Sequence, residues 1–193
     1  EHIEASPFAH VTVDNRAATR AATEHLIDRG CRRLAMIGPP LASGGSVAIN
    51  RRLAGFREAL TARGVPVEEV LLRPVAEFTP AEGRRAAQEL LASGARFDGV
   101  VAVNDSVAFG VLSALWDARR PVPAEVAVIG MDDVIAARYS TPSLSTVAPD
   151  KVGLVERALD VLERQIDAHP AADQPVKQVT VGFQVVERAS TRR

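Results

Sequence analysis

Short apolar runs rich in β-branched residues alternate along this chain with longer stretches of helical periodicity. The runs fall at residues 10–13, 33–38, 69–75, 99–103 and 125–130. Runs of this length and composition are typical of strands buried on both faces of a parallel sheet. The alternation therefore predicts an α/β fold built from right-handed β-α-β units, in which helices cover both faces of a doubly wound sheet.

The first four intervening stretches predict helices with recognisable ends, at residues 16–30, 49–64, 79–94 and 105–120. Thr79 followed by Pro80 is typical of a helix start, because threonine caps the free amides and proline has none to lose. Gly30 and Gly64 follow the last apolar residues of two of these stretches, where glycine commonly ends a helix. The 47% hydrophobic content of the 193 residues is enough for a substantial core.

The alternation breaks after residue 130. Residues 131–148 are polar and contain proline, which predicts a loop or crossover. Residues 151–167 predict an amphipathic helix with apolar residues at spacings of three and four, namely Val152, Val155, Leu159, Leu162 and Ile166. Residues 169–175 predict a loop, and two short extended runs flank Gly182.

Composition excludes several function classes. The 23 Lys and Arg residues balance 24 Asp and Glu residues, so no basic surface for nucleic acid or membrane is predicted. No apolar run is long enough to cross a membrane. The single cysteine, Cys31, excludes an internal disulfide, and the four histidines show no metal-ligand spacing. We therefore expect no metal and no other cofactor.

Polar side chains follow two of the predicted strands at the point where each strand ends. Asn104 and Asp105 follow "GVVAV", and Asp132 and Asp133 follow "VAVIGM". Ligands of open parallel sheets bind beyond the carboxyl ends of the strands. If these strands are neighbours, their polar side chains meet at one rim, next to the Gly/Ser-rich loop 39–46 that follows a third strand.

Two further residues complete a candidate binding set at this rim. Arg52 lies early in the helix after the Gly/Ser-rich loop, and Phe78 lies beyond a fourth strand. Paired arginine donors, carboxylate or amide acceptors and one aromatic face together suit a hydroxyl-rich ring. Each residue also has a structural alternative: Asp105 as a helix cap, Asp133 in a turn, Arg52 on a solvated helix face and Phe78 in the core.

Enzyme chemistry has little support in the sequence. The Gly/Ser-rich loop lacks the Gly-Lys-Ser/Thr ending of a phosphate-binding loop, and no G-x-G-x-x-G follows a strand. Ser106 follows a strand as a nucleophile would, but no G-x-S-x-G surrounds it. Asp132 and Asp133 suit Mg²⁺, yet the first strand carries no nucleophile motif. We therefore expect a protein that is not an enzyme.

An ordered set of motifs resembles the LacI/GalR family of bacterial transcriptional repressors. The motifs are "VTVDNRAATRAATEHLIDRGCRRLAMIGPP", "RRLAGFREAL", "VAVIGMDD", "TPSLSTV" and "ERAST", and the resemblance spans residues 10–191. It implies a periplasmic-binding-protein-like fold of two α/β lobes with the effector in the cleft between them. By this resemblance six residues face the effector: Arg52, Phe78, Asn104, Asp132, Ser46 and Ala48. Ala48 departs from the pattern because it offers no polar group.

The resemblance also implies a division of the chain. Residues 11–130 and 183–193 are expected to form the C-terminal lobe, and residues 131–182 the crossover segments and one helix of an incomplete N-terminal lobe. Residues 1–10 are expected to be a tail or a lobe linker. Family members begin with a helix-turn-helix headpiece that this sequence lacks, so we expect an N-terminally truncated chain that reaches operator DNA only through that headpiece.

The function that follows from the resemblance is effector sensing in a cytoplasmic, DNA-binding repressor. A small sugar or sugar phosphate is the expected effector, and a purine is the competing one, because Asn, Asp and Phe also recognise flat heterocycles. The alternative function is the periplasmic solute-binding component of a sugar ABC transporter, which shares the fold. A homodimer is expected, with one helix face as its contact, made of Val107, Val111, Ala114 and Leu115.

Overall fold

The computed structural model describes residues 9–38, 47–167 and 178–193. The strands in these ranges are β1 (His10–Val13), β2 (Leu34–Ile37), β3 (Leu72–Arg73), β4 (Gly99–Ala102), β5 (Ala127–Met131), β6 (Ser145–Pro149), β7 (Gln178–Val181) and β8 (Phe183–Val186). The helices are α1 (Asn15–Asp28), α2 (Val47–Ala62), α3 (Pro80–Ala92), α4 (Asp105–Asp117), α5 (Ala136–Tyr139) and α6 (Lys151–Asp167). A single 3₁₀ turn, Glu69–Leu71, precedes β3.

The main sheet has six strands in the order β3-β2-β4-β5-β6-β8. Its first five strands are parallel, and β8 pairs antiparallel with β6 at the edge. The chain leaves β2 toward β3 on one side and then returns to place β4 on the other. This reversal of strand order defines a doubly wound sheet and confirms the predicted fold class.

The strands in the middle of the main sheet form the core. Every residue of β2, β4 and β5 is buried. Strands covered by helices on both faces have no solvated side, which explains why these runs are continuously apolar instead of alternating. The core includes Met36, Val101 and Ile129, and Phe56 and Leu115 add to it from α2 and α4.

Helix ends fix the loops that border the sheet. Asp14 caps α1 by accepting the amides of Arg16 and Ala17, and Thr79 caps α3 as predicted. Gly30 has a φ of 89° just after α1, a conformation that glycine adopts without strain. Asn104 caps α4 through the amide of Val107, so the alternative that Asp105 is the cap is wrong.

Two strands lie outside their predicted places. β1, of which residues 11–13 were predicted in the C-terminal lobe, pairs with β7 in a separate two-stranded parallel sheet. β6, predicted within the crossover 131–182, joins the main sheet beside β5. Strand β6 was not predicted, because serine and threonine are usually exposed residues. In the structure Ser145 and Thr146 are fully buried and hydrogen-bonded. The sequence of β1 predicts a strand but does not indicate which strand it pairs with, so its pairing with β7 was not foreseen.

Helix α6 stands apart from the helices of the main sheet, as predicted, and contacts β1 and β7. Its apolar positions Val152, Val155, Leu159, Leu162 and Ile166 are all exposed.

The α4 face that was predicted to form a dimer contact lies in the core. Its residues are at most 1% exposed, because α4 packs against β5 and α3, so that prediction is wrong. These residues are Val107, Val111, Ala114 and Leu115.

None of the described helices combines the length and the apolar character that a membrane crossing requires.

Candidate functional site

The candidate site lies where the strand order of the main sheet reverses. β2 and β4 are neighbours there, and the carboxyl ends of β2, β4 and β5 are followed by Gly38, Asn104 and Asp132. Connections from these ends run in different directions and leave a crevice, which is where ligands of doubly wound sheets bind. The predicted meeting of these polar strand ends at one rim is therefore consistent with the observed topology.

Arg52 is anchored at this rim. Its Nε donates to Oδ1 of Asn15 at 2.8 Å, and its Nη1 donates to the carbonyl of Val103 at the end of β4. Burial lowers the pKa of Arg52, and the nearby carboxylate of Asp132 opposes that change. The alternative of a solvated helix face is therefore wrong. Within the described ranges Nη2 donates to no protein acceptor.

Asn104 serves two purposes at the start of α4. Its Oδ1 accepts the amide of Val107 at 2.8 Å, which fixes the side chain at the helix end. In the part of the chain that the structure describes, its Nδ2 protons have no protein acceptor. The cap therefore orients an amide donor beside the positive end of a helix dipole, a setting that favours oxygen-rich ligands.

Asp132 follows β5 in an unusual backbone conformation, with a φ of 113°, and the next residue, Asp133, has a φ of 47°. Burial raises the pKa of Asp132, while the charges of Arg52 and Lys151 oppose part of that rise. Residues held at positive φ without being glycine are strained and cluster at functional sites. Asp132 thus combines strain, burial and a neighbouring cation at the rim.

Asp133 has a structural role beside it. Its carboxylate forms an ion pair with Arg188 at 2.5 Å, and its carbonyl accepts from Nζ of Lys151 at 2.9 Å. Both contacts tie the residues after β5 to other segments of the chain. The described ranges contain no cluster of three or more His, Cys, Asp or Glu side chains that could hold a metal ion.

Of the remaining predicted residues, Phe78 and Ala48 are described by the structure. Phe78 is 47% exposed in the segment between β3 and α3, so the alternative that it is a core residue is wrong. Ala48 is half-buried in the first turn of α2. Ser46 and the Gly/Ser-rich loop 39–46 lie outside the described residues.

Three contributors escaped the sequence-based prediction: the side chain of Asn15, the carbonyl of Val103 and Lys151. Asn15 is buried and bridges Arg52 to the carbonyl of Val13 through Nδ2. Its only sequence signal is the Asp14-Asn15 pair at a helix start. The contact with Arg52, 37 residues away, depends on how α1 and α2 pack.

The described part of the rim encloses little volume. A cavity of about 40 Å³ adjoins Asp132 and is lined by Val13, Met131 and Val147. Pockets for small ligands usually enclose hundreds of cubic ångströms. The described residues therefore present directed polar groups on an open surface, and a second wall would be needed to enclose a ring.

The main sheet is doubly wound and has polar groups where its strand order reverses. The chain crosses between this sheet and the second sheet after β1, β6 and β7. These features define a ligand-binding domain of the periplasmic-binding-protein class. Comparison with known proteins agrees. A family described as periplasmic binding protein-like domain matches residues 23–191. The ribose operon repressor of Escherichia coli K12 is 36% identical over 159 residues, which cover 82% of this chain and 47% of the repressor.

Solved structures give the same result. A LacI-family transcriptional regulator from Sanguibacter keddieii matches with a TM-score of 0.92 and 38% identity, covering 99% of this chain and 70% of that chain. The regulator CelR in complex with cellobiose matches with a TM-score of 0.84 and 31% sequence identity, covering 97% of this chain and 55% of that chain. The chain belongs to the LacI/GalR family of bacterial transcriptional regulators and covers its effector-binding domain. It spans less than half the length of the first curated relatives it matches.

Proposed function

We propose that this chain is the effector-sensing part of a LacI-type repressor and binds a small sugar or sugar phosphate at the rim of its main sheet. The observation that carries the proposal is a set of fixed polar side chains at the rim, some of whose hydrogen-bond donors have no protein acceptor among the described residues. Arg52 Nη2 and Asn104 Nδ2 are donors without protein acceptors in the described ranges, and Asp132 supplies a carboxylate next to Arg52.

The stereochemistry of this set favours a sugar over a purine. A vicinal diol presents donors and acceptors in one plane, which matches an arginine fork on one side and a carboxylate on the other. Phe78, half exposed beyond β3, provides a face for the apolar side of a sugar ring. The names of two relatives point the same way, since one represses a ribose operon and the other is a regulator in complex with cellobiose.

The same relatives favour a regulator over the solute-binding component of a transporter and over an enzyme. In this proposal the protein works in the cytoplasm, and operator DNA is bound by a headpiece outside residues 1–193. Effector binding at the rim changes the operator affinity of that headpiece. The net charge of −1 of this chain is consistent with such a division of labour, because phosphate contacts need a basic surface.

We also propose a homodimer, with its contact at an exposed apolar surface instead of the buried face of α4. A cavity of about 740 Å³ opens at the end of α4 and is lined in part by Leu112, Trp116, Val122 and Pro142. We call these four residues the Trp116 surface; Trp116 is exposed, Val122 and Pro142 are half-buried, and Leu112 is buried. Large exposed apolar surfaces on soluble proteins commonly mark contacts with partners.

The effector proposal is tested by calorimetry on the full-length protein with D-ribose, cellobiose and adenine. We expect binding of a sugar, and an Arg52→Ala loss of about 2–4 kcal/mol, because Asp132 would lose the cation beside it in a desolvated site. The matched control is Arg57→Ala on the same helix, which removes an exposed ion pair with Glu69 and should leave affinity unchanged. Equal affinity in wild type and Arg52→Ala, or binding of adenine alone, would contradict the proposal.

A further inference from the structure

The carboxyl group of Asp105 is fully buried and, among the described residues, has no cationic partner. Its exposure is 0%, and no Lys, Arg or His of the described ranges pairs with it. It accepts two hydrogen bonds instead, from the hydroxyl of Thr146 at 2.6 Å and from the amide of Val134 at 2.9 Å. A buried carboxylate without a cation is costly, so its presence next to the rim calls for a specific cause.

Of the two groups that donate to Asp105, the amide of Val134 belongs to the turn that carries Asp132, and the hydroxyl of Thr146 lies on β6 beside that turn. Three successive amides of this turn are each held by a different acceptor. The amide of Asp132 donates to the carbonyl of Val147 at 2.9 Å, and the amide of Asp133 donates to the hydroxyl of Thr146 at 3.3 Å. The amide of Val134 donates to Asp105 itself. Asp105 therefore completes a scaffold that holds two consecutive residues at positive φ.

The sheet beneath is shaped to admit this carboxyl group. A Cβ atom added to Gly130 in β5 would lie 2.3 Å from Oδ1 of Asp105 and 3.2 Å from its Cα. Only glycine at position 130 leaves room for the Asp105 carboxyl to pack against β5. From this place the carboxyl reaches the turn that begins at Asp132. The site of Asp105 is thus defined by α4, β5 and β6 together.

We infer that Asp105 is a positioning residue for effector binding: it holds the turn after β5 and thereby fixes Asp132 beside Arg52. The inference rests on the proposed effector site, in which Asp132 contacts the ligand. Asp105 itself does not contact the ligand, because its oxygens are buried and already accept from Thr146 and Val134.

The protonation state of Asp105 provides a distinctive readout. Burial raises its pKa to about 6, the neighbouring carboxylates of Asp132 and Asp133 add to the rise, and the hydrogen bonds from Thr146 and Val134 oppose it. Protonation places a donor proton on an oxygen that only accepts in the ionised form, so the hydrogen bonds with Thr146 and Val134 must rearrange. Affinity for the effector should therefore fall as pH drops through about 6. Asp132 adds a pH dependence of its own, which would remain in an Asp105 variant.

The test compares variants of the full-length protein by calorimetry at neutral and mildly acidic pH, with D-ribose and cellobiose as probes. Asp105→Asn and Thr146→Val should each lose about tenfold or more in affinity. Asp105→Asn replaces one accepting oxygen by an NH2 donor, and Thr146→Val removes the acceptor of the Asp133 amide. Thr146→Ser keeps the hydroxyl and should restore binding. Asp105→Asn should also show a smaller loss of affinity on acidification than wild type.

The matched control is Asp98→Asn. Asp98 also accepts backbone amides, from Arg32 and Arg33, but it lies before β4, at the opposite end of that strand from the rim. Its variant should bind the probe like wild type. Wild-type affinity in Asp105→Asn, or an equal loss in Asp98→Asn, would overturn the positioning role. If Asp105→Asn does not fold, the Thr146→Val and Thr146→Ser pair decides.

A readout without ligand separates this inference from the proposed function. Amide hydrogen exchange at Asp133 and Val134, followed by NMR, should be faster in Asp105→Asn than in wild type, and unchanged exchange would overturn the positioning role. If neither sugar binds wild type, D-ribose and cellobiose are excluded as effectors, and amide exchange alone then decides whether Asp105 holds the turn.

Discussion

At the scale of single residues, the buried carboxyl of Asp105 makes the stability of the domain depend on pH. Its pKa rises from an ordinary 3.8 to about 6 in the folded protein, chiefly through burial. The folded state therefore binds this proton more readily than the unfolded chain. The stability that results is fully present below about pH 4 and is lost as pH rises through about 6.

Asp105→Asn removes this titration. Relative to the variant, wild type should gain about 1 kcal/mol of unfolding free energy between pH 7 and pH 5. Urea unfolding of both proteins at these two pH values measures the difference, and other carboxylates cancel because both proteins share them. A constant difference across this range would show that Asp105 does not titrate there.

The site residues also show what a sequence can reveal at this scale. Asn104 and Asp132 were predicted because polar residues at the ends of buried strands are conspicuous, and Arg52 because it lies early in the helix after the Gly/Ser-rich loop. The division of roles between Asn104 and its neighbour was predicted wrongly, because two adjacent polar residues at a helix start are equally good caps by type. Only the backbone direction out of β4 places Asn104 on the cap and Asp105 in the core.

At the scale of elements, α3 and α4 cross at two glycines. A Cβ atom on Gly110 would lie 2.0 Å from the carbonyl oxygen of Pro80 and 2.5 Å from the amide nitrogen of Arg84. A Cβ atom on Gly83 would lie 2.2 Å from the carbonyl oxygen of Val107. These contacts are with backbone atoms, which cannot rotate away as side chains do. The crossing places the start of α4, with Asn104, against α3.

Gly110→Ala should therefore destabilise the domain by about 1–3 kcal/mol, although alanine is the better helix former. Gly182→Ala is the control, because nothing lies within 4 Å of a Cβ atom there. Urea unfolding of both variants measures the effect. Equal stability of Gly110→Ala and wild type would mean that the helices separate at little cost.

The sequence predicted the strongly apolar strands correctly and missed a strand that contains polar residues. Strands β2, β4 and β5 are buried on both faces and were recognised from continuous apolar runs. Strand β6 was missed because its Ser145 and Thr146 are satisfied by partners such as Ser190 and Asp105, which are distant in sequence. Such tertiary hydrogen bonds leave no local pattern.

At the scale of the whole molecule, residues 1–193 alone should not bind operator DNA at physiological salt. Non-specific binding is driven by neutralisation of phosphates, and this chain has a net charge of −1. A mobility-shift assay with these residues and with the full-length protein tests the expectation. Tight, salt-sensitive binding by residues 1–193 would contradict it and would assign DNA contacts to this domain.

The proposed dimer depends on the Trp116 surface. The side chain of Trp116 is 78% exposed, which leaves a large apolar area in water, and aromatic residues of this kind are enriched at protein interfaces. Trp116→Glu places a charge at the centre of that surface, and burying an unpaired charge in a contact is strongly unfavourable. The full-length wild type should therefore sediment as a dimer and the variant as a monomer at the same concentration. Val70→Glu is the control, because Val70 is also exposed, at 49%, but does not line the cavity beside Trp116. A dimeric Trp116→Glu variant would place the contact elsewhere, and a monomeric wild type would contradict the dimer itself.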